Sequence, residues 1–180
     1  IIQTFKGRSS QVYSHQVIKK NNTILATYAD GTIKLWDLKA GSQKKIFYKH
    51  KNKVVDARLF SDSIVLSADS DGMVVAWDLE TGKSKFQFIT HKAGVACFGL
   101  IPLNQNLLTA GNDLKLRLWD LSQRKLLYEL MPLDFEPISI SISQNGRYAI
   151  IACKGKTIFV YDLNDIKKRW RLRGHFGGVN

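Results

Sequence analysis

The sequence of 180 residues predicts an all-β fold, in which small four-stranded sheets repeat along the chain in a radial array. The first observation is a Trp-Asp or Tyr-Asp dipeptide that recurs at intervals of 41 or 42 residues, at Trp36, Trp77, Trp119 and Tyr161. The second is a leucine directly after each dipeptide. The third is an Asp-Gly pair between short apolar runs, which favours a tight β-hairpin turn. Together they predict about four repeats of one β-rich unit.

Each repeat is expected to contain four short strands, and the second repeat shows the pattern well. Its first three predicted strands are apolar on both faces, which is typical of a sheet packed between two neighbouring sheets. The fourth alternates lysines with aromatic residues, which suits an outer strand with a free edge. The four predicted strands of this repeat are residues 54–60, 63–70, 73–79 and 83–90.

The spacing also sets the limits of the repeats. Residues 1–7 are expected to form the outer strand of a preceding repeat, and residues 175–180 to begin a following one. Because both end segments would be incomplete by themselves, the sequence is expected to be part of a longer chain. The four repeats are predicted at residues 8–49, 50–90, 91–132 and 133–174.

Two repeats share a set of four polar or aromatic residues at matching positions. The second repeat has His50, Ser67, Asp71 and Trp77, and the third has His91, Thr109, Asp113 and Trp119. With the recurring dipeptide, this pattern resembles the WD-repeat β-propeller family over the whole chain. The resemblance implies that each repeat is one blade of a propeller, usually seven-bladed, and that the four side chains form a hydrogen-bonded set within their blade.

The first and fourth repeats depart from the family pattern. The first keeps the turn aspartate and the tryptophan but has Arg8 and Ala26 at the His and Ser positions. The fourth keeps only the spacing and the Tyr-Asp-Leu run, so we expect packing rather than hydrogen bonds to hold its turn. Its residues at the four positions are Leu133, Ile151, Gly155 and Tyr161.

Histidine, serine and aspartate are also the residues of a hydrolytic triad. A catalytic triad occurs once in a chain, whereas this set recurs one repeat later with threonine in place of serine. We therefore interpret both sets as structural, and we expect no catalytic residues and no enzyme activity. Nucleotide-binding motifs are missing from the sequence, and Cys97 and Cys153 lack ligand spacing, so neither a cofactor nor a metal is expected.

Two parts of the surface are candidates for binding. The resemblance implies that the loops carrying the histidine and the turn aspartate form a docking rim, but a merely solvated rim is favoured because no aromatic residue stands among the lysines for base stacking. An apolar loop in the fourth repeat would either form an exposed contact patch or fold back onto the neighbouring blade. The candidate rim residues are Lys51, Lys53, Ser70, Lys92, Asn112 and Lys154, and the loop residues are Met131, Leu133 and Phe135.

The charge balance gives limited information about partners. The net charge is +12 with a pI near 9.8, but many basic residues fall on or beside predicted outer strands, where lysine protects a sheet edge. The apolar runs are too short to span a membrane, so the protein is expected to be intracellular. The nucleus or nucleolus is favoured, and the cytoplasm is the alternative. We expect a protein-interaction scaffold in a stable complex, such as a nuclear or nucleolar ribonucleoprotein that assembles ribosomes, with at most weak or indirect RNA contact. The alternative is a substrate-recognition propeller of a ubiquitin ligase that reads acidic or phosphorylated motifs.

Overall fold

The computed structural model describes residues 10–48, 50–102 and 104–173. These residues form four antiparallel four-stranded sheets, each built from four consecutive strands, which confirms the all-β prediction. We call the sheets blades 1 to 4 in chain order. The expected strand at residues 1–7, the segment 175–180 and Arg8 lie outside the described residues.

The first compact unit, Ile1–Ile89, contains blades 1 and 2. A single 3₁₀ turn at Lys19–Asn21 joins the first two strands of blade 1. The strands of blade 1 are β1 (Val12–Ile18), β2 (Thr23–Tyr28), β3 (Thr32–Asp37) and β4 (Gln43–Tyr48). Those of blade 2 are β5 (Val54–Ser61), β6 (Ile64–Asp69), β7 (Met73–Asp78) and β8 (Ser84–Ile89).

Blades 1 and 2 pack through a mixed apolar and polar interface. Phe47 of β4 meets Trp77 of β7 edge-on, with ring centroids 5.5 Å apart, inside a buried aliphatic core. Along the first strands, Ser14 donates a hydrogen bond to Asp56 Oδ1 at 2.5 Å. The backbone N–H of Leu59 donates to Gln16 Oε1 at 2.7 Å. The polar bonds fix the register between the blades, while apolar burial supplies the larger driving force.

The second compact unit, Thr90–Asn180, contains blades 3 and 4. Blade 4 packs against blade 3 through one continuous buried cluster that includes Leu108, Leu116, Ile151 and Phe159. The strands of blade 3 are β9 (Val95–Ile101), β10 (Asn106–Gly111), β11 (Leu116–Asp120) and β12 (Lys125–Glu129). Those of blade 4 are β13 (Pro137–Ile142), β14 (Tyr148–Cys153), β15 (Thr157–Asp162) and β16 (Arg169–Arg173).

The hairpins between second and third strands differ among the blades. Gly31 and Gly72 adopt φ angles of 80° and 89° in the predicted Asp-Gly turns, a backbone conformation that glycine enters without steric cost. In blade 3 Leu114 takes the left-handed conformation at φ 60°. The observed strands of each blade fall inside one predicted repeat, and the limits of the repeats themselves stay a prediction.

Candidate functional site

In blade 2 a buried chain of hydrogen bonds joins four side chains. His50 precedes β5, Ser67 lies on β6 and Trp77 on β7, where the register puts their side chains on one face. Trp77 Nε1 donates to Ser67 Oγ at 2.8 Å, and His50 Nε2 lies 2.6 Å from the same oxygen. His50 Nδ1 lies 2.6 Å from Asp69 Oδ2. Because a carboxylate only accepts, His50 Nδ1 donates its proton to Asp69 Oδ2.

The acidic member of this set is Asp69, not the expected Asp71. Asp69 ends β6 two residues after Ser67, so both side chains point to the same face of the strand. Its Oδ1 accepts the backbone N–H groups of Asp71 and Met73 at 3.0 and 2.9 Å. Asp71 is exposed and accepts instead from Asn52 Nδ2 at 2.6 Å. The expected role of Asp71 is therefore corrected.

Burial alone would raise the pKa of Asp69. The hydrogen bonds from His50 and from the backbone of Met73, with the nearby imidazole, nevertheless hold that pKa below its ordinary value. Both side chains of the pair are almost fully buried. A buried carboxylate with this many donors anchors the turn that joins β6 to β7.

In blade 3 the structure brings together all four residues of the corresponding expected set. Trp119 Nε1 and His91 Nε2 each lie 2.9 Å from Thr109 Oγ1. His91 Nδ1 lies 2.9 Å from Asp113 Oδ1. Asp113 lies four residues after Thr109, in the turn rather than on the strand. It reaches the histidine across Gly111, where a Cβ atom would fall within 2.3 Å of the carboxylate.

Arg117 adds a cation to the network of blade 3. Its Nη1 donates to Asp113 Oδ2 and to the carbonyl of Thr90, both at 3.0 Å, and lies 2.5 Å from His91 Nδ1. Its Nε donates to Glu129 Oε2 at 3.1 Å. Burial lowers the pKa of His91. The negative charge of Asp113 opposes this shift and the positive charge of Arg117 adds to it, so the pKa stays below its ordinary value and the ring is neutral.

The geometry of these sets is unsuited to nucleophilic catalysis. Ser67 and Thr109 are fully buried, and each hydroxyl oxygen accepts the indole N–H of its tryptophan. A nucleophile must be reached by its substrate, and neither oxygen is accessible. Within the described residues, no group of three or more His, Cys, Asp or Glu side chains could hold a metal ion. Cys97 and Cys153 are buried free thiols, and burial raises the pKa of Cys153 to about 11.

Blades 1 and 4 hold the corresponding positions in other ways. In blade 1 Asp30 accepts from the backbone and the hydroxyl of Thr32 at 3.0 and 2.6 Å, and Trp36 packs with Ala26. In blade 4 Ile151 is fully buried, and the Tyr161 hydroxyl donates to the carbonyl of Met131 at 2.9 Å. Its turn is supported by packing of Phe135 against Gly155, while the hydrogen bond to Met131 ties β15 to the same loop.

The apolar loop of the fourth repeat folds back instead of forming an exposed patch. Leu133 is only 3% exposed and belongs to the core shared by blades 3 and 4. Phe135 packs against the same core and against Gly155, with the guanidinium of Arg171 at 5.2 Å from its ring. Met131 keeps 39% of its surface exposed. Of the two expected alternatives, folding back is the one observed for Leu133 and Phe135, because burying them completes the core beside β14 and β15.

The candidate rim residues differ in how they are engaged. In the first unit Lys53 Nζ stacks over the Tyr13 ring at 4.4 Å, while the backbone of Ser70 donates to the Lys53 carbonyl at 3.0 Å. Lys51 is exposed. In the second unit Lys92 is exposed, Asn112 Nδ2 donates to the carbonyl of Ala93 at 3.0 Å, and Lys154 pairs with Glu136. Their use as a docking rim remains a prediction.

The residues that the sequence reasoning missed are Asp69, Gly111 and Arg117. The sequence does contain a signal for Asp69, because Ser67 and Asp69 stand at the i, i+2 spacing that puts side chains on one strand face. Arg117 stands between the apolar residues Leu116 and Leu118, and a charged residue inside an apolar strand indicates a buried partner.

Comparison with known proteins agrees with this architecture. The family model described as "WD domain, G-beta repeat" matches residues 1–37 and 82–120. A solved structure titled "Crystal structure of RRP9 WD40 repeats" matches with a TM-score of 0.86 at 15% sequence identity. That match covers 98% of this chain and 55% of the other, so this chain spans about half the length of that structure. No curated protein matches the chain. None of the described helices is long and apolar enough to cross a membrane.

Proposed function

This chain belongs to the WD-repeat family, and from that premise we propose that it is a non-catalytic scaffold on which the proteins of a stable complex assemble. The observation that carries the proposal is that the histidine, serine or threonine, and aspartate side chains hydrogen-bond to one another inside their own blades. Both ring nitrogens of His50 and of His91 contact side chains of their own blade. What the blades offer to other molecules is their loops and outer strands, which is the chemistry of a docking surface rather than of an active site.

We also propose that the four blades belong to a larger ring, of seven blades as is usual in the family. The support is an apolar face of blade 4, opposite the face that packs on blade 3. Ile150, Val160 and Trp170 form one cross-strand row on this face, and Leu172 stands on the next row. Trp170 and Leu172 are 45% and 52% exposed. Covering this face with a further blade would bury it as the opposite face is buried.

The complex that we favour is a nuclear or nucleolar ribonucleoprotein, such as a ribosome-assembly complex. The net charge of +12 supports an environment rich in phosphate or acidic protein. Several lysines are already held within the blades, such as Lys53 on the Tyr13 ring and Lys154 on Glu136. We therefore propose that protein contacts recruit the chain, and that direct RNA contact is weak.

Affinity purification of the full-length protein, with and without nuclease, followed by mass spectrometry tests this proposal. We expect one set of protein partners to persist after nuclease treatment, together with RNA-binding proteins. Recovery of ubiquitin-ligase subunits would support substrate recognition in a ligase instead. The Ser67→Ala variant serves as the control for catalysis. A hydrolytic activity lost in that variant at an unchanged melting temperature would contradict the scaffold proposal.

A further inference from the structure

A cavity of about 490 Å³ opens on blade 2 beside the buried histidine network. Two carboxylates and an amide line it together with two apolar side chains, and a lysine stands among them. Ile89, at 56% exposed, leaves one side open to solvent. The described lining residues are Lys51, Asp69, Asp71, Met73, Gln87 and Ile89.

Blade 3 shows what group fits at the corresponding place. Strand pairing sets Arg117 opposite Thr109 on one side and Glu129 on the other. The same register in blade 2 sets Val75 opposite Ser67 and Gln87. Val75 is therefore the counterpart of Arg117, and it is too short to reach beyond the strand.

The guanidinium of Arg117 is bound by residues whose counterparts line the cavity. It contacts Asp113 Oδ2 at 3.0 Å and Glu129 Oε2 at 3.1 Å. By strand register and the repeat spacing, these two residues correspond to Asp71 and Gln87 of blade 2. Blade 2 thus keeps the acceptors of a guanidinium site, and Val75 supplies no guanidinium.

The other two blades also place a cation of their own in this region. In blade 1 Lys34, at the position of Val75, puts Nζ 4.4 Å above the Tyr28 ring. In blade 4 the guanidinium of Arg171 lies 5.8 Å from the Phe159 ring and 5.2 Å from the Phe135 ring. Blade 2 has a cavity here in place of an inward cation from its third or fourth strand.

We propose that this cavity binds an arginine side chain presented by a protein partner. The accessible acceptors are the exposed Asp71 carboxylate and the exposed Gln87 amide oxygen. The buried Asp69 carboxylate adds negative charge, so the two aspartates outweigh Lys51 in formal charge. Met73 and Ile89 can pack against the aliphatic stem of an arginine. A planar guanidinium matches carboxylate and amide oxygens better than the point charge of lysine does.

The proposal rests on the scaffold function proposed above and names the partner chemistry of one blade. It is tested by titrating the full-length protein, labelled at methionine and isoleucine methyl groups, with the peptide acetyl-Ala-Arg-Ala-amide and following NMR shifts. We expect saturable shifts of the Met73 and Ile89 methyl groups. The matched peptide with citrulline, which is neutral and nearly isosteric, should give at least about tenfold weaker binding, because a charged hydrogen bond is lost.

Three variants sharpen the test. Asp71→Asn should weaken the arginine peptide about tenfold, and Gln87→Glu, which copies Glu129, should strengthen it. Val75→Arg should abolish binding by filling the cavity from within, as Arg117 does in blade 3. Equal shifts with both peptides, or unchanged binding to Asp71→Asn, would overturn the proposal.

The outcome also separates this site from the scaffold function. Affinity purification of the Asp71→Asn variant should lose one partner or a subset, while the remaining partners persist. If the arginine peptide fails to bind and the wild-type complex is intact, the pocket assignment is wrong and the scaffold stands. If the wild-type protein recovers no stable partners, the scaffold proposal itself fails.

Discussion

Gly111 lies directly against His91: a Cβ atom built on the glycine would stand 2.2 Å from His91 Nδ1. The corresponding residue of blade 2 is Asp69, whose carboxylate binds His50. One strand position therefore serves two opposite purposes. In blade 2 it supplies the carboxylate, and in blade 3 it leaves the space through which Asp113 reaches the ring.

The first prediction concerns this space. Gly111→Ala should lower the free energy of unfolding by about 2–3 kcal/mol, because the methyl group must displace either the imidazole or the carboxylate. Urea denaturation of the full-length protein measures the change. Lys92→Ala, next to His91 but exposed, is the control and should change stability by less than about 0.5 kcal/mol. An equal loss in both variants would show that the close contact is unimportant.

The sequence predicted the blades well because the recurring dipeptide and the hairpin pairs are local signals. It failed for contacts that depend on how far a side chain reaches in the folded structure. Asp71 and Asp113 occupy the same repeat position, yet only Asp113 contacts its histidine, since Asp69 already fills that role in blade 2. Likewise, the composition of the loop around Leu133 leaves open whether it folds inward, because that depends on space beside β14 and β15 that no local pattern encodes.

The second prediction concerns pH. The pKa of His91 lies below its ordinary 6.5 in the folded protein, so the unfolded chain takes up the proton first as the pH falls. Stability from the neutral ring is therefore complete above about pH 6.5 and is lost progressively below it, until the folded pKa is reached. Urea denaturation at pH 7.5 and pH 5.5 should show this loss.

His91→Gln should reduce that pH dependence, although it lowers stability at pH 7.5 by about 1–3 kcal/mol through unpaired buried partners. His15→Gln, at an exposed position, is the matched control and should leave both values nearly unchanged. If His91→Gln keeps the full difference between the two pH values, the titrating group lies elsewhere.

The third prediction concerns the folded-back loop. Leu133→Ala should cost about 2–5 kcal/mol, as expected for a buried leucine, and Phe135→Ala should cost less because that ring is only partly buried. Met131→Ala, at a position that keeps 39% of its surface exposed, should cost less than either of the other two changes. Thermal melts rank the three variants. Unchanged stability of Leu133→Ala with loss of a binding partner would restore the contact-patch interpretation.

The fourth prediction is a stabilising change in the turn between β11 and β12. Arg124 adopts φ 56°, whereas the turns of blades 1 and 2 place Gly41 and Gly82 at the corresponding position, with φ 65° and 75°. Arg124→Gly should raise the free energy of unfolding by about 0.5–1 kcal/mol, because glycine enters the left-handed region without strain. Gln123→Gly, one residue earlier, should lower it by a similar amount. Destabilisation by both changes would show that the contacts of Arg124 outweigh the backbone strain.

The fifth prediction separates rim lysines from edge lysines. We expect the purified full-length protein to bind RNA weakly and to lose that binding at physiological salt. If the rim contacts phosphates, replacing Lys51, Lys53 and Lys92 together reduces the salt slope by about one unit per lost contact. Replacing lysines on or next to the outer strands should instead lower solubility and leave binding nearly intact; these are Lys83, Lys85, Lys167 and Lys168. Tight, sequence-selective RNA binding at physiological salt would contradict protein-mediated recruitment.

The placement of the tryptophans gives the chain an intrinsic fluorescent reporter. Of its four indoles, Trp36, Trp77 and Trp119 are buried in their blades, while Trp170 is half-exposed and meets Tyr148 edge-on with centroids 6.3 Å apart. A water-soluble quencher such as acrylamide therefore reaches one emitter and not the other three. The quenchable fraction of the emission reports whether the apolar face of blade 4 is covered, without any label being attached.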